Sequence, residues 1–257
     1  MSDFMNPQSG DPVPPLALFL DFDGTLVDLA PTPDGITVPP ELISEIRSAR
    51  EAFGGAVAVV SGRAIADLDR YLPDRLAIAG GHGTERRGAD GSLEASSDDI
   101  GSAAVTIADQ VADFVDAHEG LMMERKSAAV ALHYRHAPDL REECIARLTE
   151  AATSVGFGIV DGKMVVEARP STISKGSAVR AFMQETPFKG RLPVFIGDDT
   201  TDEDGFAAAQ ELNGIGMKVG EGETVAKLRT PDVESVRAII RGLVDRYGAG
   251  AAAPEVM

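Results

Sequence analysis

The sequence predicts an α/β protein whose core is a doubly wound, Rossmann-like parallel sheet, interrupted by an inserted α+β cap. Short apolar strands alternate with amphipathic helices at both ends of the chain, and the middle changes to paired strands. We place the first part of the core at 16–100, the cap at 101–170 and the second part of the core at 171–247. The polar, proline-rich start (1–15) and the small-residue tail (248–257) are expected to be flexible.

The first part of the core has a β-α-β-α-β order. Its continuous apolar runs are typical of parallel strands that are covered on both faces. Pro39-Pro40 begins a helix, which Gly54-Gly55 ends. The three strands are expected at 17–22, 56–60 and 76–79.

The cap follows a repeated helix–strand–strand pattern. Apolar residues at helical spacing mark two amphipathic helices, and a pair of strands follows each helix. Asp161-Gly162 predicts a tight hairpin turn within the second pair. The strand pairs are expected at 121–126 with 129–135 and at 157–160 with 163–169. This αββαββ order predicts an antiparallel sheet backed by two helices.

Parallel α/β order returns after the cap. Apolar runs predict strands at 192–197 and 214–219. Helices are expected at 174–185, 201–212 and 233–246. The core is therefore predicted to be discontinuous in sequence.

Composition excludes several functional classes. The 257 residues carry 41 acidic and 24 basic side chains, a net charge of −17, whereas nucleic acids and anionic membranes bind basic surfaces. The single cysteine, Cys144, excludes an internal disulfide. No apolar run approaches the ~20 residues of a membrane span. We expect a cytoplasmic monomer that binds a small molecule and neither nucleic acid nor membranes.

Polar side chains follow three of the predicted strands and begin one predicted helix. Because the carboxyl ends of parallel strands meet at one crevice, we expect these side chains to lie close together. They are Asp21 and Asp23 after the first strand, Ser61 and Arg63 after the second, Asp198, Asp199 and Asp202 after the strand at 192–197, and Lys175 after the cap.

Each of these signals has an ordinary reading when it is taken alone. Ser61-Gly62-Arg63 is a common way to begin a helix, and the acidic run at 198–204 would complement the dipole of the helix that follows. Lys175 alone would be read as an exposed lysine. Their joint occurrence at strand and helix ends indicates a functional site.

Several aspartates beside one lysine suit Mg²⁺, a hard cation that prefers carboxylate and water oxygens. Clustered histidine and cysteine ligands are missing, which argues against zinc. The candidate metal ligands are Asp21, Asp23, Asp198, Asp199 and Asp202.

The same residues have roles in phosphoryl transfer. Asp21, the first polar residue after its strand, is the candidate nucleophile, and Asp23 is the candidate general acid and base. Lys175 would neutralise negative charge near the phosphate. The candidate phosphate-binding residues are Ser61, Gly62, Arg63 and Lys175.

Four segments resemble the motifs of the haloacid-dehalogenase-like phosphatases, and the chain is similar more narrowly to the trehalose-6-phosphate phosphatase family. The likeness covers Leu16 to about Leu243 and implies Mg²⁺, an aspartyl-phosphate intermediate and release of trehalose. The four segments are Asp21-Phe22-Asp23-Gly24-Thr25, Ser61-Gly62-Arg63, Lys175-Gly176 and Gly197 to Asp204.

One face of the predicted cap sheet is polar. Strand alternation places Val130, Leu132 and Tyr134 on the opposite, apolar face. The polar residues are Glu124, Lys126, His133, Arg135, Glu167 and Arg169. Mixed acids and bases suit the hydroxyl groups of a sugar, although cross-strand charge pairing on a solvated face would give the same pattern.

The resemblance matches Glu124, Lys126 and Glu167 to residues that bind the glucose ring remote from the phosphate. Arg135 and Arg169 are further candidates for substrate binding. His82, between two glycines, is either a substrate contact or a hydrogen-bonded structural residue.

Two alternative functions remain open. One is a phosphatase of another sugar phosphate, such as a sucrose-phosphate or mannosyl-phosphoglycerate phosphatase, which would share the core motifs and differ in the cap. The other is a non-catalytic sugar-phosphate sensor. The complete set of Asp21, Asp23, Lys175 and Asp198 argues against a sensor, because a binding module has no need of a nucleophile.

Overall fold

The computed structural model describes most of the chain, namely residues 15–30, 32, 35–72, 76–95, 98–126, 128–162 and 164–248. The termini that we expect to be flexible lie outside the described residues, apart from Pro15 and Gly248. Contacts between residues divide the chain into two compact units. The core unit comprises Met1–Glu94 and Ser174–Met257, and the second unit comprises Ala95–Ile173.

The described residues form twelve strands and seven helices. The strands are β1 (Leu16–Leu20), β2 (Val57–Val60), β3 (Ala77–Gly80), β4 (Glu85–Arg87), β5 (Leu93–Ala95), β6 (Met122–Arg125), β7 (Val130–His133), β8 (Phe157–Gly162), β9 (Val165–Pro170), β10 (Leu192–Gly197), β11 (Ile215–Val219) and β12 (Leu228–Thr230). The helices are α1 (Pro40–Ala52), α2 (Ile65–Leu68), α3 (Asp98–Asp116), α4 (Arg141–Thr153), α5 (Lys175–Phe182), α6 (Glu203–Glu211) and α7 (Val233–Gly248). No helix among these residues has the length and apolar character needed to cross a membrane.

The core sheet has the order β12-β11-β10-β1-β2-β3-β4-β5. Strands β12 to β3 in this order are parallel, and β4 pairs with β3 in the antiparallel sense. The chain adds β2 and β3 on one side of β1 and later adds β10 to β12 on the other. The switch point therefore lies between β1 and β10, the position at which ligands generally bind in doubly wound sheets, beyond the carboxyl ends of the strands. The doubly wound prediction is confirmed.

Both faces of the parallel sheet are buried. Leu18 and Leu20 of β1 belong to an apolar cluster with α1 and α7, whereas Phe19 belongs to a second cluster with α5 and α6. A strand that is covered on both faces needs apolar residues at every position, which explains the continuous run in β1. This double burial fixes the strand ends that carry the polar residues.

An ion-pair network joins α1 to α7. Both carboxylate oxygens of Glu45 accept hydrogen bonds from Arg237, at 2.7 and 3.1 Å, and Arg241 donates a further bond at 2.6 Å. Partial burial acts to raise the pKa of Glu45, but the hydrogen bonds from the two arginines outweigh it, and the net shift is downward.

Replacement of this carboxylate should destabilise the fold at neutral pH. We expect Glu45→Gln to lower the free energy of unfolding by about 1 kcal/mol, measured by urea denaturation at pH 7. Because the folded-state pKa is lowered, the stabilisation is present above the ordinary pKa of 4.5 and is lost as the pH falls through the folded-state value. The difference between variant and wild type should therefore shrink between about pH 5 and pH 3.

Glu41→Gln is the matched control, since Glu41 is 69% exposed and lies 4.0 Å from Arg237. It should change the unfolding free energy by less than about 0.5 kcal/mol. An equal effect of the two substitutions at pH 7 would show that the Glu45 network does not stabilise the packing of α1 on α7.

The second unit is a four-stranded antiparallel sheet with the order β6-β7-β9-β8. The α3 and α4 helices pack on one face of this sheet, where Leu132, Val166 and Ala168 lie in a buried apolar cluster with Ile107 and Leu148. The predicted αββαββ order and the predicted apolar face are confirmed.

The tight turn between β8 and β9 lies later than predicted. Asp161 and Gly162 are the last two residues of β8 and pair with Val166 and Val165 of β9. The chain reverses after them, and Met164 has a φ of 63°, in the left-handed region that tight turns use. The Asp161 carboxylate accepts a hydrogen bond from Arg141, which holds it in the strand. The prediction of a turn at Asp161-Gly162 is wrong, but a shift of two residues keeps every side chain on its face.

Candidate active site

Asp21 lies at the carboxyl end of β1 and contacts a buried lysine. Its backbone N–H donates to the carbonyl oxygen of Ile196 in β10 at 2.9 Å, which fixes the residue at the switch point. Its Oδ1 accepts a hydrogen bond from Lys175 Nζ at 2.7 Å. Lys175 begins α5, and Ser174 caps that helix by accepting the N–H of Ser177. The start of α5, fixed by Ser174, therefore places the buried ammonium group of Lys175 beside the buried carboxylate of Asp21.

Burial and neighbouring charges shift the pKa values of Asp21 and Lys175. Burial raises the pKa of Asp21 well above its usual range, and Asp202 and Asp198 raise it further while Lys175 opposes the shift. For Lys175, burial acts to lower the pKa, but the carboxylates of Asp21 and Asp202 outweigh it and the pKa is raised. Lys175 is therefore a permanent cation, and the ionised form of Asp21 is costly unless positive charge lies beside it.

Asp202 organises the acidic loop that follows β10. Its Oδ1 accepts a hydrogen bond from Lys175 Nζ at 2.6 Å, and its Oδ2 accepts the backbone N–H groups of Asp198 and Asp199 at 3.0 and 2.9 Å. The side chain is fully buried. Gly197 has to be a glycine because a Cβ there would overlap the Asp202 side chain. Asp202 thus holds both Lys175 and the loop.

Asp198 is half-buried and lies against the loop that follows β1. Thr25 Oγ1 donates to Asp198 Oδ1 at 3.4 Å. Gly24 has a φ of 78°, and a Cβ there would overlap the Asp198 carboxylate. Burial raises the pKa of Asp198 to about 6, with Asp202 and Asp199 adding to the shift. The Gly24-Thr25 pair therefore allows Asp198 to approach Asp21 closely.

Three carboxylates converge at this point. Asp21, Asp198 and Asp202 each offer an oxygen, and these oxygens lie within 4.8 Å of one another. Carboxylate oxygens are the ligands that Mg²⁺ prefers, and burial together with repulsion among these carboxylates raises the pKa values of Asp21 and Asp198. The chemistry of these side chains fits a hard divalent cation.

Asp23 and Asp199, the other predicted ligands, do not belong to this triad. Arg63 donates two hydrogen bonds to Asp23, from Nε to Oδ2 at 2.6 Å and from a terminal nitrogen to Oδ1 at 2.7 Å. Asp199 is exposed, and its backbone N–H donates to Asp202 Oδ2 at 2.9 Å. Asp23 therefore has a partner of its own, and Asp199 lies outside the triad.

The Ser61-Gly62-Arg63 turn follows β2 and lies against the loop that contains His82. The buried hydroxyl of Ser61 accepts the N–H of Arg63 at 3.2 Å. The His82 N–H donates to the Ser61 carbonyl at 2.9 Å, and a Cβ on Gly62 would lie 2.6 Å from Cε1 of the His82 ring. His82 has a φ of 58° and packs directly on this turn. This packing favours the structural reading of His82.

The polar face of the second unit contains two acid–base pairs. Lys126 and Glu167 form an ion pair, and His133 Nε2 lies 2.9 Å from Glu124 Oε2. Two further residues predicted to bind substrate differ in exposure. Arg169 of β9, which pairs with Gly158 of β8, is buried, whereas Arg135, which follows β7, is exposed. The face therefore presents neighbouring donors and acceptors.

Known proteins resemble this chain in sequence and in fold. The sequence model described as trehalose-phosphatase matches residues 19–234 of the chain. The chain belongs to the trehalose-phosphatase family. Members of this family are hydrolases that act on phosphomonoesters.

Individual relatives in the trehalose-phosphatase family match most of their own length. The trehalose-6-phosphate phosphatase of Escherichia coli (strain K12) is 40% identical over 229 residues, which cover 86% of this chain and 83% of that protein. A probable trehalose-phosphate phosphatase of Sinorhizobium fredii is 39% identical over 248 residues, which cover 94% and 92%. The crystal structure of a trehalose-6-phosphate phosphatase related protein has a TM-score of 0.72 and 29% identity, and the match covers 91% of this chain and 99% of that chain. The resemblance inferred from the motifs is confirmed.

Two contacts in this trehalose-phosphatase family member were not predicted from the sequence. One is the pairing of Arg63 with Asp23, which lie 40 positions apart and which no local pattern connects. The other is Lys218, a buried lysine of β11 that donates to the backbone carbonyl of Asp198. A lysine within the apolar run at 215–219 is a signal that pointed to a buried partner.

Proposed function

We propose that this trehalose-phosphatase family member hydrolyses trehalose 6-phosphate to trehalose and inorganic phosphate with Mg²⁺. The observation that carries the chemistry is Asp21, a buried carboxylate at the switch point of the sheet, with Lys175 Nζ at 2.7 Å and Asp198 beside it. The substrate follows from the relatives, since the Escherichia coli protein named for trehalose 6-phosphate is 40% identical to this chain.

Asp21 and Asp198 would hold the Mg²⁺ ion. Asp202 would instead direct Lys175 and the acidic loop, because its two oxygens already accept three hydrogen bonds. We leave Asp23 and Asp199 out of this ligand set, because Asp23 is paired with Arg63 and neither residue belongs to the carboxylate triad. When bound, Mg²⁺ neutralises the repulsion between a carboxylate nucleophile and a phosphate dianion.

The reaction would proceed in two displacements at phosphorus. The Asp21 carboxylate attacks, an aspartyl-phosphate forms, and the bond to the sugar oxygen breaks while Asp23 gives that oxygen a proton. Asp23 then takes a proton from water, whose oxygen attacks the aspartyl-phosphate, releases phosphate and restores Asp21. Lys175 would stabilise the negative charge during both steps.

Arg63 would regulate the availability of Asp23. Because both oxygens of Asp23 accept hydrogen bonds from Arg63, Arg63 competes with the sugar oxygen and with water for this carboxylate. The phosphate dianion of the substrate offers Arg63 a competing acceptor. This exchange accommodates the predicted phosphate-binding role of Arg63, together with Ser61 and Gly62 in the same turn.

We propose that the inserted segment determines substrate specificity. In its polar face, Lys126 with Glu167 and His133 with Glu124 place donors beside acceptors, which suits the hydroxyl groups of a neutral sugar. Glu124, Lys126 and Glu167 would bind the glucose ring remote from the phosphate. Arg135, Arg169 and His82 are additional candidate contacts. We also propose that the protein is cytoplasmic and monomeric. Light scattering after size exclusion would test the monomeric state.

Phosphate release from a panel of esters tests the proposed function. The panel comprises trehalose 6-phosphate, sucrose 6-phosphate, glucose 6-phosphate, mannosyl-phosphoglycerate and an aryl phosphate, each with Mg²⁺ and with EDTA. We expect a strong, EDTA-sensitive preference for trehalose 6-phosphate. Preference for another ester would keep the mechanism and reject the substrate, and no turnover by folded, Mg²⁺-bound protein would favour the sensor.

Substitutions on the polar face should discriminate between substrates. We expect Lys126→Ala and Glu167→Ala each to lower kcat/KM for trehalose 6-phosphate by about 10- to 100-fold, because each removes a charge-assisted contact to sugar hydroxyls. The value for an aryl phosphate, which has no second sugar ring, should change by less than about threefold.

Arg141→Ala is the matched control for these two variants. Arg141 forms another ion pair of the same unit, with Asp161, on the helix-covered side of the sheet. It should leave the preference for trehalose 6-phosphate unchanged. Equal losses on both substrates in Lys126→Ala and Glu167→Ala would argue against sugar binding by this face.

A further inference from the structure

Lys218 is a buried lysine at the carboxyl end of β11. It lies opposite Gly197 in the parallel register with β10, and only 6% of its surface is exposed. Burying an ammonium group is unfavourable unless the group is hydrogen-bonded or paired with negative charge. We therefore expect Lys218 to have a hydrogen-bond acceptor that offsets the cost of burying its ammonium group.

That partner is the backbone of the acidic loop. Lys218 Nζ donates to the carbonyl oxygen of Asp198 and lies 3.3 Å from the carbonyl oxygen of Val219. The carbonyl of Asp198 and the N–H of Asp199 belong to one peptide group, and that N–H donates to Asp202 Oδ2 at 2.9 Å. Two buried side chains of opposite charge thus hold the two ends of one peptide group.

The two peptide groups that flank Asp198 together set the direction of its side chain. The N–H of Asp198 also donates to Asp202, so Lys218 supplies the remaining constraint on the backbone of Asp198. Without it, the carbonyl would be a partly buried acceptor that has lost its cationic donor, and rotation of the peptide would be favoured. Such a rotation would move the Asp198 carboxylate away from Asp21.

We propose that Lys218 is a positioning residue that fixes the 198–199 peptide and thereby holds the Asp198 carboxylate in place for a divalent cation. The proposal rests on the metal site assigned under the proposed function. Loss of an outer partner of a metal ligand typically weakens metal binding by about 10- to 100-fold. Lys218 should therefore affect Mg²⁺ affinity more than it affects stability.

Calorimetric titration of Mg²⁺ into wild type and Lys218→Met tests this proposal. We expect the variant to bind Mg²⁺ at least about tenfold more weakly. The control is Arg191→Met, which removes another partly buried cation that donates to backbone carbonyls, those of Pro187, before β10, and of Leu16, the first residue of β1. Arg191→Met should lower the melting temperature and leave Mg²⁺ affinity unchanged.

Mg²⁺ affinity within about twofold of wild type in folded Lys218→Met would overturn the positioning role. If Lys218→Met fails to fold, Lys218→Gln replaces it. Its shorter, uncharged amide predicts weaker Mg²⁺ binding than in wild type, and unchanged affinity would again overturn the proposal. No Mg²⁺ binding by wild type would contradict the metal site itself, whereas normal binding by wild type and variant would contradict only the role of Lys218.

Discussion

Asp21→Asn should lower phosphate release from trehalose 6-phosphate by at least about 10⁴-fold while the protein remains folded. The amide nearly matches the carboxylate in shape and can still accept a hydrogen bond from Lys175 Nζ, which lies 2.7 Å from Oδ1 of Asp21. It is too weak a nucleophile to attack phosphorus, so the covalent step is lost. Single-turnover phosphate release with Mg²⁺ measures the effect.

The stability of this variant provides a second readout. Because the pKa of Asp21 is raised in the folded state, stability from this group is present below its unfolded-state pKa and is lost as the pH rises through the folded-state value. Removing the charge should therefore keep the metal-free melting temperature at pH 8 at or above that of wild type. The wild type should approach the variant as the pH falls toward 5.

Asp28→Asn is the matched control for Asp21→Asn. Asp28 is an exposed aspartate a few residues further along the same loop, and it receives the same isosteric change. It should retain activity within about twofold of wild type. Near-normal turnover by Asp21→Asn would remove Asp21 as the nucleophile, and an unfolded variant would show that Asp21 is required for the fold.

The parts of the fold that the sequence predicted are those with a continuous apolar pattern. The strand at 192–197 matches β10, and Leu16–Leu20 lies within one residue of its predicted start. Burial on both faces imposes such a run, so the sequence reports it directly. Glu85–Arg87 and Leu228–Thr230 are three-residue strands with charged residues, and they gain their order from pairing with longer neighbours.

In the candidate site too, some features could be predicted from the sequence and others could not. Strand ends could be located from sequence, so the aspartates of the triad could be grouped before their distances were known. The partner of each side chain could not, because a bond such as Arg63 to Asp23 depends on rotamers and on the packing of two loops. Asp202 illustrates this: its position after the strand suggests a metal ligand, whereas its hydrogen bond with Lys175, seen only in the structure, supports the positioning role that we propose.

Lys175→Met should remove activity and also destabilise the metal-free protein. Lys175 Nζ lies 2.7 Å from Asp21 and 2.6 Å from Asp202, and all three side chains are buried. Removing the cation leaves two buried carboxylates without their partner, which typically costs about 3–5 kcal/mol. Urea denaturation in EDTA at pH 8 measures this loss, and phosphate release should fall by at least about 10³-fold because the charge on the phosphate is no longer neutralised by the protein.

The pH dependence separates electrostatic from packing effects in this variant. Without Lys175, the group that opposes the upward pKa shift of Asp21 is gone, so the folded-state pKa rises further. A raised folded-state pKa means that stability is lost as the pH increases above the unfolded value of about 3.9. The destabilisation should therefore be larger at pH 8 than at pH 5, and Mg²⁺ should reverse part of it at pH 8 by restoring positive charge beside Asp21.

Lys189→Met is the control for Lys175→Met, because Lys189 is an exposed lysine of the same unit. It should change the unfolding free energy by less than about 0.5 kcal/mol at either pH. A loss in Lys175→Met that is equal at pH 5 and pH 8, and that Mg²⁺ does not reduce, would mean that Lys175 stabilises the fold through packing alone. Its ammonium would then not balance the charge of Asp21, and the electrostatic basis of the nucleophile assignment would be lost with it.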